Sequence, residues 1–239
     1  MIKTATLEYK HGETTCEGLI AWDDAATGKR PGVLVVHDWM GPSKHTEERA
    51  RWLAGLGYVG LAADIFGKGV RPKNRDEAGK AAGPYFQDRK KLRERALAGI
   101  DALKKHELVD AARLGAIGFC FGGTTALEIA RSGADVAAVV SFHGALQTPN
   151  PADAKTLKSK ILVLHGVDDP MIPPDHVTAF WKEMQETKAD WHFVGYGNAM
   201  HAFTNKEAND RDFGTVYEKR ADTRSWEHMK FFFKEAFGV

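Results

Sequence analysis

The segment Gly118-Phe119-Cys120-Phe121-Gly122, followed at once by Gly123, sets one thiol between two closely spaced glycines. An apolar run from Leu114 to Phe119 leads in and a helix-compatible stretch from Thr124 to Arg131 leads out, which predicts strand, sharp turn, helix. At such a turn the central residue is held in a strained backbone conformation. Side chains two positions away on either side would strike the neighbouring strand and helix, so only the central side chain stands clear. Cysteine there can act as a nucleophile if a base is brought to it. The bland reading of a cysteine after an apolar strand is an inert buried thiol.

Two later segments supply the missing chemistry. The run Ile161 to Gly166 reads as a buried strand that delivers Asp168 and Asp169, and the strand Trp191 to Tyr196 leads through a loop to His201. Nucleophile, acid and base in this chain order match the order in which α/β-hydrolases supply a triad. His201 is then general base toward Cys120 and general acid toward the leaving group, while an aspartate fixes the imidazole tautomer. Asp168 and Asp169 compete for that role. Asp168 is the more natural turn former and Asp169, set before Pro170, is chosen. The oxyanion donors expected are the N–H of Phe121, at a helix start whose dipole favours a thiolate, and the N–H of Trp39.

The elements that must position these groups are those of one α/β domain spanning residues 1–239. With 43% hydrophobic residues the chain can bury a sizeable core. A net charge of +1, with no basic stripe interleaved with aromatics and no phosphate loop, argues against a nucleic-acid partner. Cys16 and Cys120 are too few for a disulfide framework, and no run reaches membrane-spanning or signal-peptide length, so a cytoplasmic location is expected. No His-x-x-x-His or His-Glu-x-x-His pair places metal ligands on one helix face, and neither a metal nor an organic cofactor is expected.

Taken in order, Thr4 to Tyr9 and Thr15 to Trp22 read as strands around a hairpin turn. Val33 to Val36 is a central strand ending in His37 and Asp38. His37 is counted among the pocket residues although packing is its simpler role, whereas a strand-end carboxylate such as Asp38 needs a partner. A helix over Thr46 to Leu56 and a strand over Tyr58 to Ala63 follow. The cluster Lys68, Arg71, Lys73 and Arg75 reads first as a solvated loop, with a hold on an acidic substrate as the functional alternative. Pro84 is expected to interrupt a helical stretch before a long amphipathic helix. Val136 to Phe142 ends in His143, which either lines the site or packs. Helices over Asp175 to Thr187 and Thr215 to Phe237 close the pattern. The alternation implies a mostly parallel central sheet with helices on both faces.

These motifs carry a resemblance. The elbow, the segment His165 to Pro173 and the segment Tyr196 to Phe203 together resemble the dienelactone hydrolase family over nearly the whole chain. The resemblance implies an α/β-hydrolase fold without a large cap, a Cys120-Asp169-His201 triad and hydrolysis of a small ester or lactone. It also implies that Asp38 interacts with the resting cysteine, where dienelactone-specific members have the longer glutamate. Those members carry a substrate-binding arginine where this chain has Asn205, and an asparagine gives no charge-assisted, bidentate carboxylate clamp. Arg71, Arg75 and Tyr85 are the remaining pocket candidates. A general carboxylesterase or lactonase is therefore expected, favouring enol esters and lactones over amides. The rival reading is a ligand-binding or redox-sensing protein on the same fold, with Cys120 as the sensitive thiol.

Overall fold

Gly12 and Glu13 form a two-residue turn, with Gly12 at φ 57°, that folds β1 (Ile2–His11) against β2 (Thr14–Asp23) as an antiparallel hairpin. The computed structural model describes residues 1–238, and the chain clusters into one compact unit ending at Ile117 and a second beginning at Gly118. In the first unit, β3 (Arg30–Val36) is buried at every position, as its unbroken apolar run requires. α1 (Lys44–Gly55) leads to β4 (Val59–Ala63), which lies parallel to β3 and antiparallel to β2. α2 (Arg75–Gln87), α3 (Arg89–Lys104) and β5 (Val109–Phe119) follow, and the strand order is β1-β2-β4-β3-β5.

Pro84 does not interrupt the helical stretch where expected. It sits inside the last turns of α2, and the break comes at Asp88, whose side chain accepts from the N–H of Lys91 and so caps α3. A proline late in a helix removes only one ladder bond, whereas a capped N-terminus starts a new axis.

The second unit runs α4 (Phe121–Arg131), β6 (Ala138–Phe142), a short 3-10 turn over 151–156, β7 (Lys160–Gly166), α5 (Pro174–Gln185) and β8 (Trp191–Tyr196). β6, β7 and β8 are neighbours in that order and all parallel. Phe142 and Trp226 pack with ring centroids 4.6 Å apart, and Met229 and Phe233 are fully buried beside them on the closing helix.

The end of the chain departs from the expectation. Thr215 and Val216 are not helical: they form β10 (Thr215–Val216), paired antiparallel with β9 (Asn209–Asp210), and α6 (Lys219–Phe237) starts only after them. Glu218 caps α6 by accepting from the N–H of Ala221 at 2.6 Å.

Candidate active site

Cys120 sits between β5 and α4 at φ 54° and ψ −113°, a conformation that few residues with a side chain adopt. The glycines around it are steric necessities. A Cβ added at Gly118 would lie 2.0 Å from the carbonyl oxygen of Gly122, and one at Gly123 would lie 2.9 Å from the carbonyl oxygen of Phe142. Close passage of strand, helix and loop at this point lifts the half-buried Cys120 side chain clear. Phe121 opens α4, so its N–H lies at the positive end of the helix dipole.

The elbow is braced by a residue that sequence reasoning left between two roles. His143, at φ 42°, is buried, and its Nδ1 accepts from the N–H of Cys120 at 3.2 Å. An accepting Nδ1 leaves the proton on Nε2, which donates to Thr204 Oγ1 at 2.8 Å. The Cys120 N–H is shared with the carbonyl of Phe142 at 3.0 Å. Thr124 Oγ1 donates back to the Cys120 carbonyl at 3.3 Å and accepts from the N–H of Ala145 at 2.9 Å. Thr204 and Thr124 were not singled out in the sequence. Their only signal is nearness in sequence to His201 and Cys120.

Asp169 and His201 meet as the motif order predicts. The carboxylate is buried, and its Oδ1 accepts from the N–H of Met171 at 2.8 Å. Its Oδ2 accepts from Nδ1 of the equally buried His201 at 2.7 Å. Asp168 is exposed and uses its N–H on the Ala199 carbonyl. The pair therefore separates by burial.

His201 is held by backbone on both sides. Its N–H donates to the carbonyl of Gly214 at 3.0 Å, and its own carbonyl accepts from the N–H of Val216 at 3.0 Å. The β9–β10 ribbon thus aims the ring. Gly166 allows this loop to approach β7, since a Cβ there would lie 2.5 Å from the carbonyl oxygen of Ala199.

Burial is the largest single influence on the His201 imidazole and pulls its pKa down. The negative charge of a Cys120 thiolate and the hydrogen bond to Asp169 outweigh it, so the net pKa is raised well above the ordinary value. Nε2 makes no well-formed hydrogen bond, so the thiol acts on the ring through charge and a loosely aligned approach. Such alignment is common in unliganded sites and tightens when substrate arrives.

The remaining expected residues divide between the units. Asn205 lies in the second unit, where its Oδ1 accepts from the N–H of Glu207 at 3.0 Å. His37, Asp38, Trp39, Arg71, Arg75 and Tyr85 lie in the first. His37 is fully buried, with Nδ1 donating to the Asp38 carbonyl at 2.6 Å and Nε2 accepting from the N–H of Ile65 at 3.2 Å. Burial lowers its pKa to about 4, so the ring is neutral. Asp38 Oδ1 accepts from the N–H of Met40 at 2.8 Å, and Trp39 beside it is half-buried. Arg71 donates to the Val70 carbonyl at 2.9 Å and lies 3.6 Å from the Asp64 carboxylate, while Arg75 opens α2 in solvent. Tyr85 is buried and its hydroxyl donates to the Ile65 carbonyl at 2.8 Å. Among the described residues no group of three or more His, Cys, Asp or Glu could hold a metal ion, and no helix is long and apolar enough to cross a membrane.

A mostly parallel sheet with its helices, no large cap and a cysteine elbow define an α/β-hydrolase. The model of the dienelactone hydrolase family matches residues 16–237, and the chain belongs to that family. The structure of a dienelactone hydrolase-like promiscuous phosphotriesterase from metagenomic libraries superposes with a TM-score of 0.95 at 39% identity, covering 99% of each chain. A probable 2-oxo-3-(5-oxofuran-2-ylidene)propanoate lactonase of Bradyrhizobium is 33% identical over 74% of this chain and 75% of its own length. A putative carboxymethylenebutenolidase of Aquifex aeolicus is 29% identical over 85% of this chain and 87% of its own.

Proposed function

We propose that the chain, acting as one domain over residues 1–239, hydrolyses a small carboxylic ester or lactone through a thioester on Cys120. The observation that carries this reading is the 2.7 Å hydrogen bond from His201 Nδ1 to Asp169 Oδ2, which leaves Nε2 for the thiol at a strained elbow. The two relatives named for lactones support the substrate class.

The steps follow from the geometry. The Cys120 thiolate adds to the substrate carbonyl, and the oxyanion that forms is held by the N–H of Phe121 at the positive end of α4. Collapse expels the alkoxide or enolate, which takes the Nε2 proton of the His201 imidazolium. In a lactone this leaving oxygen stays tethered to the acyl chain. Water then attacks the thioester with His201 as base, and the thiolate leaves to restore the ion pair. Asp169 keeps the proton on Nδ1 and stabilises the imidazolium throughout. No step calls for a metal or an organic cofactor. Both cysteines being free supports a reducing, cytoplasmic setting.

The test is hydrolysis of a short-chain p-nitrophenyl ester by the wild type and by Cys120→Ala and His201→Ala, each checked for folding by circular dichroism, with and without chelator. Both variants should lose at least about a hundredfold in kcat/KM while chelator changes nothing. Full activity in Cys120→Ala, or none in the wild type across a panel of esters, lactones and a phosphotriester, would overturn the reading in favour of a binding or sensing role.

A further inference from the structure

Asp169 and His201 are held by different segments, and one glycine meets both. Asp169 stands in the turn after β7, with its N–H on the Gly166 carbonyl at 3.2 Å and its own carbonyl accepting from the N–H of Ile172 at 3.3 Å. Pro170 follows it, so a rigid ring is bonded through its nitrogen to the Asp169 carbonyl carbon and lies where the main chain of the acid puts it. His201 takes its position from the β9–β10 ribbon, through the Gly214 carbonyl and the Val216 N–H. A bridge between His201 and Thr215 completes that pairing.

Gly214 closes the loop between β9 and β10. Its N–H donates to the Arg211 carbonyl at 3.1 Å, and its φ of 83° is one that a residue with a side chain rarely takes. Torsion alone therefore favours glycine here, but the space around it asks for more. A Cβ added at Gly214 would lie 2.3 Å from Cγ and 2.9 Å from Cδ of Pro170, so the bare Cα sits against the proline ring with room only for hydrogen. Gly12, Gly28, Gly57 and Gly69 share the positive φ, yet an added Cβ there would find no heavy atom within 4 Å. Turn geometry accounts for those four. At Gly214 it leaves the contact with Pro170 unexplained.

We propose that Gly214 is a positioning residue for the acid–base pair: its carbonyl fixes His201 while its bare Cα seats the proline that follows Asp169, so the two side chains keep their 2.7 Å hydrogen bond. This role rests on the triad reading of Cys120, Asp169 and His201. Carbons in contact stay about 3.5 Å apart, so an added methyl must drive the Gly214 backbone and Pro170 apart by about 1 Å. One side of that separation carries the base and the other the acid. A misplacement of about 1 Å costs about a hundredfold in rate.

The test is Gly214→Ala, Pro170→Ala and the double variant, with Gly28→Ala as control, read by p-nitrophenyl ester turnover and by NMR titration of the His201 ring in the whole protein. Gly214→Ala should lower kcat about a hundredfold while KM stays within about threefold, because the damage falls on the proton-transfer pair. Burial pulls the His201 pKa down, and the Cys120 charge and the Asp169 hydrogen bond raise it, so a stretched Asp169 contact should make the ring titrate lower. Pro170→Ala removes the Cγ and Cδ that an added methyl meets, and by itself should lower kcat about threefold to tenfold. Combined with Gly214→Ala, it should restore kcat at least about tenfold and return the His201 titration toward wild type. Gly28→Ala carries a similar φ of 79° with no neighbour to strike, and should leave both readouts unchanged.

Wild-type kcat and His201 titration in Gly214→Ala would overturn the role. So would a double variant no more active than Gly214→Ala, which traces the loss to backbone strain alone. If Gly214→Ala fails to fold, recovery of folded, active protein in the double variant is the expected result. If both fail, Pro170→Ala decides alone, with wild-type kcat and titration overturning the role. A wild type that hydrolyses no ester removes the triad reading, while the His201 titrations still decide whether Gly214 links the two residues.

Discussion

Thr204→Val replaces a hydroxyl by a methyl of nearly the same size at a fully buried position, so packing is kept and one hydrogen bond is lost. That bond is the 2.8 Å acceptance from His143 Nε2, and His143 is itself buried. Two outcomes are open to the imidazole. It can keep its tautomer and bury an unsatisfied N–H, or it can move its proton to Nδ1 and lose the 3.2 Å bond from the Cys120 N–H. Either way a buried polar group goes unpaired, at a cost of about 1 to 3 kcal/mol. With a urea m-value of about 3 kcal/mol/M, the unfolding midpoint should fall by roughly 0.3 to 1 M. Thr204→Ser keeps the hydroxyl and loses one methyl, so it should sacrifice less than the valine variant. The same variants assayed on a p-nitrophenyl ester should separate further, because only the valine variant loosens the residue before Phe121, the proposed oxyanion donor. Equal midpoints for the valine and serine variants would refute the brace, and so would full activity in both.

Gly118→Ala should cost more than about 4 kcal/mol and yield little folded protein, since the new Cβ would meet the Gly122 carbonyl oxygen at 2.0 Å; expression and thermal unfolding read this directly. Gly166→Ala should act mainly on turnover, lowering kcat about tenfold or more by pushing back the Ala199 and Met200 carbonyls that lie 2.5 and 2.7 Å from the added carbon. Arg131→Met should destabilise by about 3 to 5 kcal/mol in urea denaturation. It strands the buried carboxylates of Glu183 and Glu128, held now at 2.7 and 3.0 Å. Cys120→Ser removes the sulfur whose negative charge, when present, raises the His201 pKa, so NMR titration should show the imidazole titrating lower than in the wild type. Because the folded pKa is the raised one, His201 contributes stability that is full below its ordinary value of 6.5 and lost as pH rises through about 10; Cys120→Ser should shrink that loss.

The residues proposed as nucleophile, acid and base could be picked out because each is announced by backbone geometry that few residues permit. Gly118 and Gly123 mark a crossing too tight for a Cβ, and Asp169 and His201 each follow an apolar strand whose end must lie at the sheet's ligand-binding edge. Most strands and helices followed from period and punctuation to within about five residues, β8 to the residue, while the two-residue strands β9 and β10 did not. The choice of Asp169 over Asp168 rested on turn position, with which the family resemblance agrees; in the structure the Asp169 carboxylate is buried against His201 and Asp168 is exposed. His143 remained ambiguous in the sequence because a histidine at a strand end has the same appearance whether its ring faces ligand or clasps the backbone of the next loop. Only the pairing with Thr204 and the Cys120 N–H distinguishes the two.

The ribbon that aims His201 was illegible for a different reason. Its strands are two residues each, too short for any alternation of apolar and polar side chains, and Thr215 and Val216 run directly into a helical pattern. What recruits them is backbone hydrogen bonding: the His201 N–H and carbonyl both need partners in a loop where Ala202 takes φ 58°, and Gly214 and Val216 supply them. A helix begun at Thr215 would draw the Gly214 carbonyl into its own first turn and take Thr215 and Val216 out of the extended backbone that reaches His201. The cap at Glu218 resolves the competition by starting α6 four residues later, beyond the residues that hold His201. The orientation of His201 is thus a property of main chain, which composition and spacing do not report, while its identity is a property of side chain, which they do.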